Sequence, residues 1–383
     1  MARAREPETA IEVHELVKRY AKAPKNAVDG VSFSVRRGEI FGLLGPNGTG
    51  KTTTIGILTT FVRQTSGAAR TMGIDVVADP MSVKQRIAVV PQQSNLDRSL
   101  KVRDILTFHA AYHGMPRGDA RARADALLAE LGLADRAKDK VSRYSGGMAQ
   151  RLMIARALMH SPDVLFLDEP TNNLDPQSRL FLWDRIRALN AQGLTILLTT
   201  HDMEEADQLC ERIAIMDHGK ILVNDSGPAL KKLIPGGIAL ELRVLAPEAV
   251  ASGPAADASG DAHDSVLAAL RALPGVTRVD HVDAKADAAP NGKAAGAGAQ
   301  WGGAGGAGGW GGNGNGNGGA GSGLTSATDD DTTLYRIYSE DAGSLVVAAA
   351  QAVAAAGAEV RDLHLKKPSL EDVFIYLTGR NLR

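Results

Sequence analysis

Hydrophobic and polar positions change period along this chain, and the changes mark out its elements. Val31, Phe33 and Val35 alternate with Ser32 and Ser34, the period of two that buries one face of a strand. Gly38 then turns the chain into a second, apolar strand, Ile40 to Leu44. Val164 to Leu167 is a run of four residues suited to a strand buried on both faces, and Thr195 to Thr200 reads as another strand. Helices are expected over Thr52 to Thr60, Val102 to Gly114 and Met148 to His160. From about Gly236 strands are expected over 239–245, 277–282, 333–339 and 360–365, with helices near Asp264 to Leu273 and from Gly343. The last segment is the clearest, because Leu370, Val373, Phe374 and Leu377 form one helical stripe, with Ser369 as N-cap and Gly379 where the helix stops.

Length and composition refine this outline. At 383 residues the chain has room for two domains, and 44% hydrophobic content excludes wholesale disorder. We place the first domain at 1–235 and a small α/β accessory domain at 236–383. Fourteen of the 42 glycines fall between Trp301 and Gly323. The stretch around them, about 288–332, has almost no aliphatic side chains to set against its backbone entropy, so a disordered Gly-rich insertion is expected there. Ala246 to Asp264 is expected as a shorter loop of the same kind.

Charge and cysteine content exclude further classes. With 43 Lys and Arg against 44 Asp and Glu, the net charge is −1, and no global field gathers polyanions. General nucleic-acid binding is therefore not expected. The single cysteine, Cys210, cannot form an intramolecular disulfide, and no secretory apolar stretch opens the sequence, so a cytosolic chain is expected. Ala342 to Ala358 is too short to span a bilayer and is broken by Gln351. Any membrane role thus needs a partner that supplies the span.

The candidate chemistry lies in the first domain. Gly45, Pro46, Asn47, Gly48, Thr49, Gly50, Lys51 and Thr52 fit the phosphate loop GxxxxGK[ST], with Thr53 following, between an apolar strand and a helix. Its glycines let backbone amides turn inward at phosphates, and the helix N-terminus adds partial positive charge. Lys51 would reach the β- and γ-phosphates, and Thr52 would ligate Mg²⁺. Asp168 and Glu169 end the apolar strand at the edge where α/β sheets bind ligands. Asp168 is the candidate Mg²⁺-facing carboxylate, and Glu169 is then free to polarise a water aimed at the γ-phosphate. His109 and His113 stand four apart on a helix, but no third ligand is apparent nearby, so no metal role is assigned to them.

Tyr144, Ser145, Gly146, Gly147, Met148, Ala149, Gln150 and Arg151 follow the phosphate loop and precede Asp168. This segment resembles the signature motif of ATP-binding-cassette (ABC) ATPases. The resemblance covers about Ile11 to Ile234, and it implies a P-loop NTPase fold: a mixed-sheet core, an antiparallel β subdomain and a helical subdomain. Further landmarks fall in order. Gln92 resembles the Q-loop glutamine, Asp175 the D-loop aspartate, His201 the switch histidine and Tyr20 the aromatic that stacks on adenine.

By that resemblance Gln92 senses Mg²⁺ and the attacking water, His201 bonds the γ-phosphate, and Asp175 organises a facing protomer. Ser145, Gly146 and Gly147 would contact the ATP held by that protomer, making the functional unit a homodimer. Thr49 and Tyr144 depart from the usual small residue and Leu, without removing a donor or carboxylate. The tail, Lys367 to Phe374 and Leu377 to Gly379, resembles ATPases of daunorubicin-resistance exporters. Together these imply an ATP- and Mg²⁺-dependent ATPase subunit at the cytoplasmic face of the membrane. It would work with a separately encoded permease and export a drug, lipid or other amphipathic molecule. Soluble ABC ATPases of ribosomes or DNA carry two cassettes or a long coiled coil, and neither is present here.

Overall fold

The computed structural model describes residues 8–234, 238–245, 258–282, 332–339, 342–366 and 368–379. Chain contacts divide it into one unit formed by Met1–Ile234 with Pro368–Arg383, and another formed by Pro235–Lys367.

Two sheets build the first unit. In the antiparallel one, β1 (Thr9–Lys18), β2 (Val28–Arg36), β4 (Ser66–Thr71) and β5 (Ile74–Asp75) lie in the order β2-β1-β4-β5. Val31, Phe33 and Val35 are buried on one face of β2, as their alternation requires. The six-stranded sheet comprises β3 (Ile40–Leu44), β6 (Ile87–Val90), β7 (Val164–Asp168), β8 (Thr195–Thr200), β9 (Arg212–Asp217) and β10 (Lys220–Asp225), in the order β10-β9-β3-β8-β7-β6. All its pairings are parallel except that of β10 with β9.

Every residue of β3 and β7 is buried, because this sheet is covered on both faces. Successive side chains of β7 enter different cores. Leu165 and Leu167 join Ile196 and Leu198 against α3 (Val102–Tyr112), α4 (Arg117–Glu130) and α5 (Gly146–Ala157). Val164 and Phe166 join Phe41, Leu43 and Leu197 against α1 (Lys51–Leu58) and the antiparallel sheet. Phe33 and Phe41 stack with centroids 5.2 Å apart and tie the two sheets together. The helices α2 (Pro80–Arg86), α6 (Pro176–Ala191), α7 (Met203–Leu209) and α8 (Gly227–Lys231) complete the body of this unit.

The second unit holds an antiparallel sheet of β11 (Ile238–Leu245), β12 (Val276–Val282), β13 (Thr332–Ser339) and β14 (Glu359–Lys366), ordered β12-β13-β11-β14. Leu240, Leu242 and Val244 of β11 bury one face against Val266 and Leu270 of α9 (Ala258–Arg271) and Ala349 and Val353 of α10 (Ala342–Ala355). Helix α9 begins inside the stretch expected to be a loop over 246–264; of that stretch, 246–257 lies outside the described residues. So does the Gly-rich insertion expected over 288–332, except Thr332, which opens β13.

The terminal helix α11 (Leu370–Thr378) packs in the first unit against α7 and α8, burying Leu370, Val373 and Phe374. Ser369 caps it in a reciprocal box with Asp372, and Gly379 closes it at φ 69°. Among the described residues no helix is long and apolar enough to cross a membrane.

Candidate active site

Parallel registration brings four chain segments to one edge of the six-stranded sheet. Leu44 pairs with Thr200, Asp168 with Thr199, and Val90 with Leu167. Gly45, Glu169 and His201 therefore leave the ends of neighbouring strands side by side, with Gln92 two residues beyond β6.

The loop from Gly45 to Gly50 crosses this edge into α1. Gly48 and Gly50 sit at φ 81° and 103°, a region that disfavours side chains, and a Cβ on Gly50 would lie 2.3 Å from the Ala27 carbonyl oxygen. Thr49 is buried, and its hydroxyl donates to the Pro46 carbonyl at 2.9 Å, so the departure at this position braces the loop.

Lys51 is only 4% exposed. Its ammonium donates to the carbonyls of Gly45 (2.6 Å) and Pro46 (3.0 Å) and stands 3.6 Å from Glu169 Oε1. Burial pulls its pKa below the ordinary lysine value, and the facing carboxylates of Glu169 and Asp168 oppose that shift.

The two carboxylates have different neighbours. Thr52 donates to Asp168 Oδ1 at 3.2 Å, and the buried Thr199 hydroxyl donates to the same oxygen at 2.6 Å. Glu169 Oε2 accepts from Gln92 (3.0 Å) and Asn172 (3.2 Å) and lies 3.3 Å from His201 Nδ1. The Glu169 backbone is left-handed, φ 47°, and its N–H donates to both the carbonyl and the hydroxyl of Thr199. Such a backbone costs about 1–3 kcal/mol in a residue other than glycine and is retained where surroundings enforce it.

Tyr20 is brought beside the loop, its hydroxyl 3.4 Å from Thr53 Oγ1 and its half-exposed ring 5.0 Å from the Lys18 ammonium. Thr52 and Asp168 offer hard oxygen atoms in one place, a donor set that suits Mg²⁺, with Gln92 on the neighbouring Glu169.

Ser145, Gly146, Gly147 and Asp175 form a second group. Ser145 caps α5 by accepting from the Met148 N–H, so the two glycines make its first turn and the helix starts earlier than the expected Met148. Gly147 packs so closely on α6 that a Cβ would stand 2.6 Å from Ser178 Oγ. Asp175 caps α6 by accepting from the Ser178 N–H, and its hydrogen bonds with Ser178 hold its carboxyl below the usual carboxylate range. Among the described residues no hydrogen bond or ion pair joins this second group to the phosphate loop. Ser145 and Gly146 are exposed. Tyr144 is buried and donates to the Arg136 carbonyl at 3.3 Å; burial pushes its phenol up to about 12.

Sequence reasoning did not single out Thr199, which touches both carboxylate residues, or assign a role to Asn172. A threonine in a run from Thr195 to Thr200 carries no mark of which member faces Asp168.

Comparison with known proteins gives concordant matches. Residues 28–172 match the family model described as ABC transporter. The Daunorubicin resistance ATP-binding protein DrrA3 of Streptomyces coeruleorubidus is 34% identical over 98% of both chains. The Nod factor export ATP-binding protein I of Paraburkholderia xenovorans (strain LB400) is 45% identical over 58% of this chain and 73% of that protein. Among solved structures, an ATP-binding subunit of an ABC transporter superposes with a TM-score of 0.54 at 29% identity, over 59% of this chain and 93% of its own. A dimeric ATP-binding cassette in a post-hydrolysis state with ADP and phosphate superposes with a TM-score of 0.53 at 26% identity, over 56% of this chain and 98% of its own.

Proposed function

The chain belongs to the ABC transporter family, and from that membership we propose that it is the ATP-hydrolysing subunit of an exporter. It drives efflux of a drug, lipid or other amphipathic substrate through a separate membrane permease, and it acts as a homodimer at the cytoplasmic face. The observation that carries the reading is the convergence of Lys51, Gln92, Asn172 and His201 on the Glu169 carboxylate, next to the Thr52 and Asp168 pair.

In this reading the amides of Gly48 to Thr53 and the Lys51 ammonium bind the terminal phosphates of ATP, and Tyr20 stacks on the base. Thr52, Asp168 and Gln92 hold Mg²⁺, which when bound neutralises charge on the phosphate oxygens. Glu169 takes the proton of the attacking water, and Gln92 and His201 fix the orientation of its carboxylate. Thr199 anchors Asp168 and the backbone of Glu169 at once.

The exposed helix start at Ser145 and Gly146 is an anion site that is separate from its own phosphate loop. A second, head-to-tail copy brings it to the γ-phosphate, with Asp175 beside the junction. The permease contacts the outer face of α3, where Phe108 and Tyr112 are 61% and 85% exposed. The names of the relatives, which include a daunorubicin-resistance protein and a Nod factor export protein, support outward transport.

Glu169→Gln tests the site. The variant is expected to bind ATP with unchanged affinity, to lose about 10²–10⁴-fold in turnover, and to accumulate a nucleotide-bound dimer on gel filtration. Turnover within threefold of the parent chain would remove Glu169 as the base.

A further inference from the structure

We propose that His109, His113 and His160 form a site for one borderline divalent transition-metal ion of the Zn²⁺, Co²⁺ or Ni²⁺ class, apart from the nucleotide site. The sequence showed only His109 and His113; folding supplies the third ring. His109 lies in the last turn of α3, His113 immediately follows that helix, and His160 follows α5. One ring nitrogen from each falls within 4.8 Å of the other two. Ring centroids are 4.8 Å apart for His109 and His113, 5.7 Å for His109 and His160, and 3.9 Å for the stacked pair His113 and His160.

Buried His109 Nε2 and His160 Nδ1 have no hydrogen-bond partner, the situation that buried polar groups in folded chains avoid. His160 Nε2 lies 2.9 Å from the Ile87 carbonyl oxygen. With the proton on Nε2 donated to that oxygen, Nδ1 carries a free lone pair, as a ligand nitrogen must. A backbone carbonyl holding the far nitrogen of a ligating imidazole is the usual outer support of a metal site.

Burial, the two neighbouring rings and Arg156 push His109 down to about 4. Burial lowers His113 and His160 as well.

The distances permit closure. At a metal–nitrogen distance of 2.0–2.1 Å, three tetrahedral ligand nitrogens lie about 3.4 Å apart. Separations of at most 4.8 Å reach that value with a shift of about 0.8 Å per nitrogen, and His113 must also rotate out of its stack with His160, whose parallel plane holds the two lone pairs parallel. His113, which lines an open cleft of about 740 Å³ together with Lys84 and Arg156, is the ring with room to swing off its stacking partner. The cleft admits a water as fourth ligand. Three imidazoles without a carboxylate select against Mg²⁺ and Ca²⁺, which take oxygen ligands. Arg156 donates to Asn95 Oδ1 at 2.6 Å, which anchors its guanidinium on a neutral partner.

The test uses the untagged full chain, stripped with chelator and kept nucleotide-free in excess Mg²⁺ while Co²⁺ is titrated in. One equivalent is expected to bind with a visible ligand-field band that Zn²⁺ abolishes. His113→Gln and His160→Gln are each expected to weaken binding at least about tenfold. Nitrogen-15 spectra of the unmutated chain give a second readout: three histidine rings should shift together on Zn²⁺ addition. A missing one-equivalent band, binding undiminished in both variants, or ring shifts confined to other histidines would overturn the site.

Discussion

Replacing Thr199 with Val separates the anchoring of Asp168 from every group proposed to touch nucleotide. The two side chains share a shape, and valine favours strands, so β8 keeps its backbone. The lost group is a hydroxyl in a fully buried position that donates to Asp168 Oδ1 at 2.6 Å and accepts from the Glu169 N–H at 3.1 Å. The second loss is cushioned, because that N–H also donates to the Thr199 carbonyl at 3.0 Å. The first is not, because Asp168 then keeps only the longer bond from Thr52 at 3.2 Å. A hydrogen bond to a charged group contributes about 1.5–3 kcal/mol, so the melting midpoint is expected to fall by about 3–12 °C for a unit of this size. Loss of an outer support typically costs about 10–100-fold in metal affinity or activity. The Mg²⁺ concentration for half-maximal ATP hydrolysis should rise by that factor, measured as phosphate release across a Mg²⁺ series. Thr199→Ser, which keeps the hydroxyl and loses one methyl, should restore the Mg²⁺ dependence at a stability cost of about 1 kcal/mol. Unchanged Mg²⁺ dependence in Thr199→Val would show that Thr52 and burial alone position Asp168.

Three further substitutions probe other parts of the molecule. Gly147→Ala drives a Cβ to within 2.6 Å of Ser178 Oγ and 3.0 Å of its Cβ, and should destabilise the chain by about 1–3 kcal/mol in chemical denaturation; adding Ser178→Gly should recover most of it. Glu205 is 1% exposed and accepts from Thr171 and Trp183. Burial raises its pKa against these donors, so the folded chain holds this proton more tightly than the unfolded one. The stability so gained is complete below the unfolded value near 4.5 and is lost as pH rises through the folded value. Glu205→Gln should flatten that part of the melting-midpoint profile, and an unchanged slope would assign it to other groups. Ser369→Ala removes the capping box of α11 and should cost about 1 kcal/mol locally. The expected readout is about fivefold faster amide exchange over 370–378, with exchange in β3 and β7 unchanged.

The grouping of Gly45 to Thr53 with Asp168 and Glu169 was legible because these residues are contiguous or close a strand. The glycines and lysine of the loop need their spacing to wrap a phosphate, and an acidic pair after four apolar residues marks a sheet edge. Thr199 was not legible, since its role comes from register between β7 and β8, and register is a pairing of distant segments. His160 was hidden for the same reason: it meets His109 and His113 only when α5 packs on α3. Helix α5 starts before the expected Met148 because the Ser145 cap makes Gly146 and Gly147 its first turn. In the second unit, alternation located the strands but could not order them as β12-β13-β11-β14, because nothing local records that β11 pairs with both β13 and β14.

The left-handed turn at Glu169 explains how one strand end serves two tasks. Along β7 side chains alternate between the two cores, so an extended continuation would send residue 169 to the side of Leu165 and Leu167, away from Asp168. At φ 47° the chain leaves the sheet instead, and Glu169 meets Lys51, Gln92, Asn172 and His201 while Asp168 stays on Thr52 and Thr199. Both carboxylates thus face the same loop, one held by hydroxyls in a fixed place and the other reached by donors from three segments. The conformational cost of about 1–3 kcal/mol is offset by the paired bonds of the Glu169 N–H to Thr199. Glycine at 169 would relieve the strain and remove the carboxylate, whereas glutamine removes only the charge. If the turn exists to present the side chain, Glu169→Gly should melt no lower than Glu169→Gln while hydrolysing ATP no faster, and this pairing distinguishes a backbone kept for chemistry from one kept for folding.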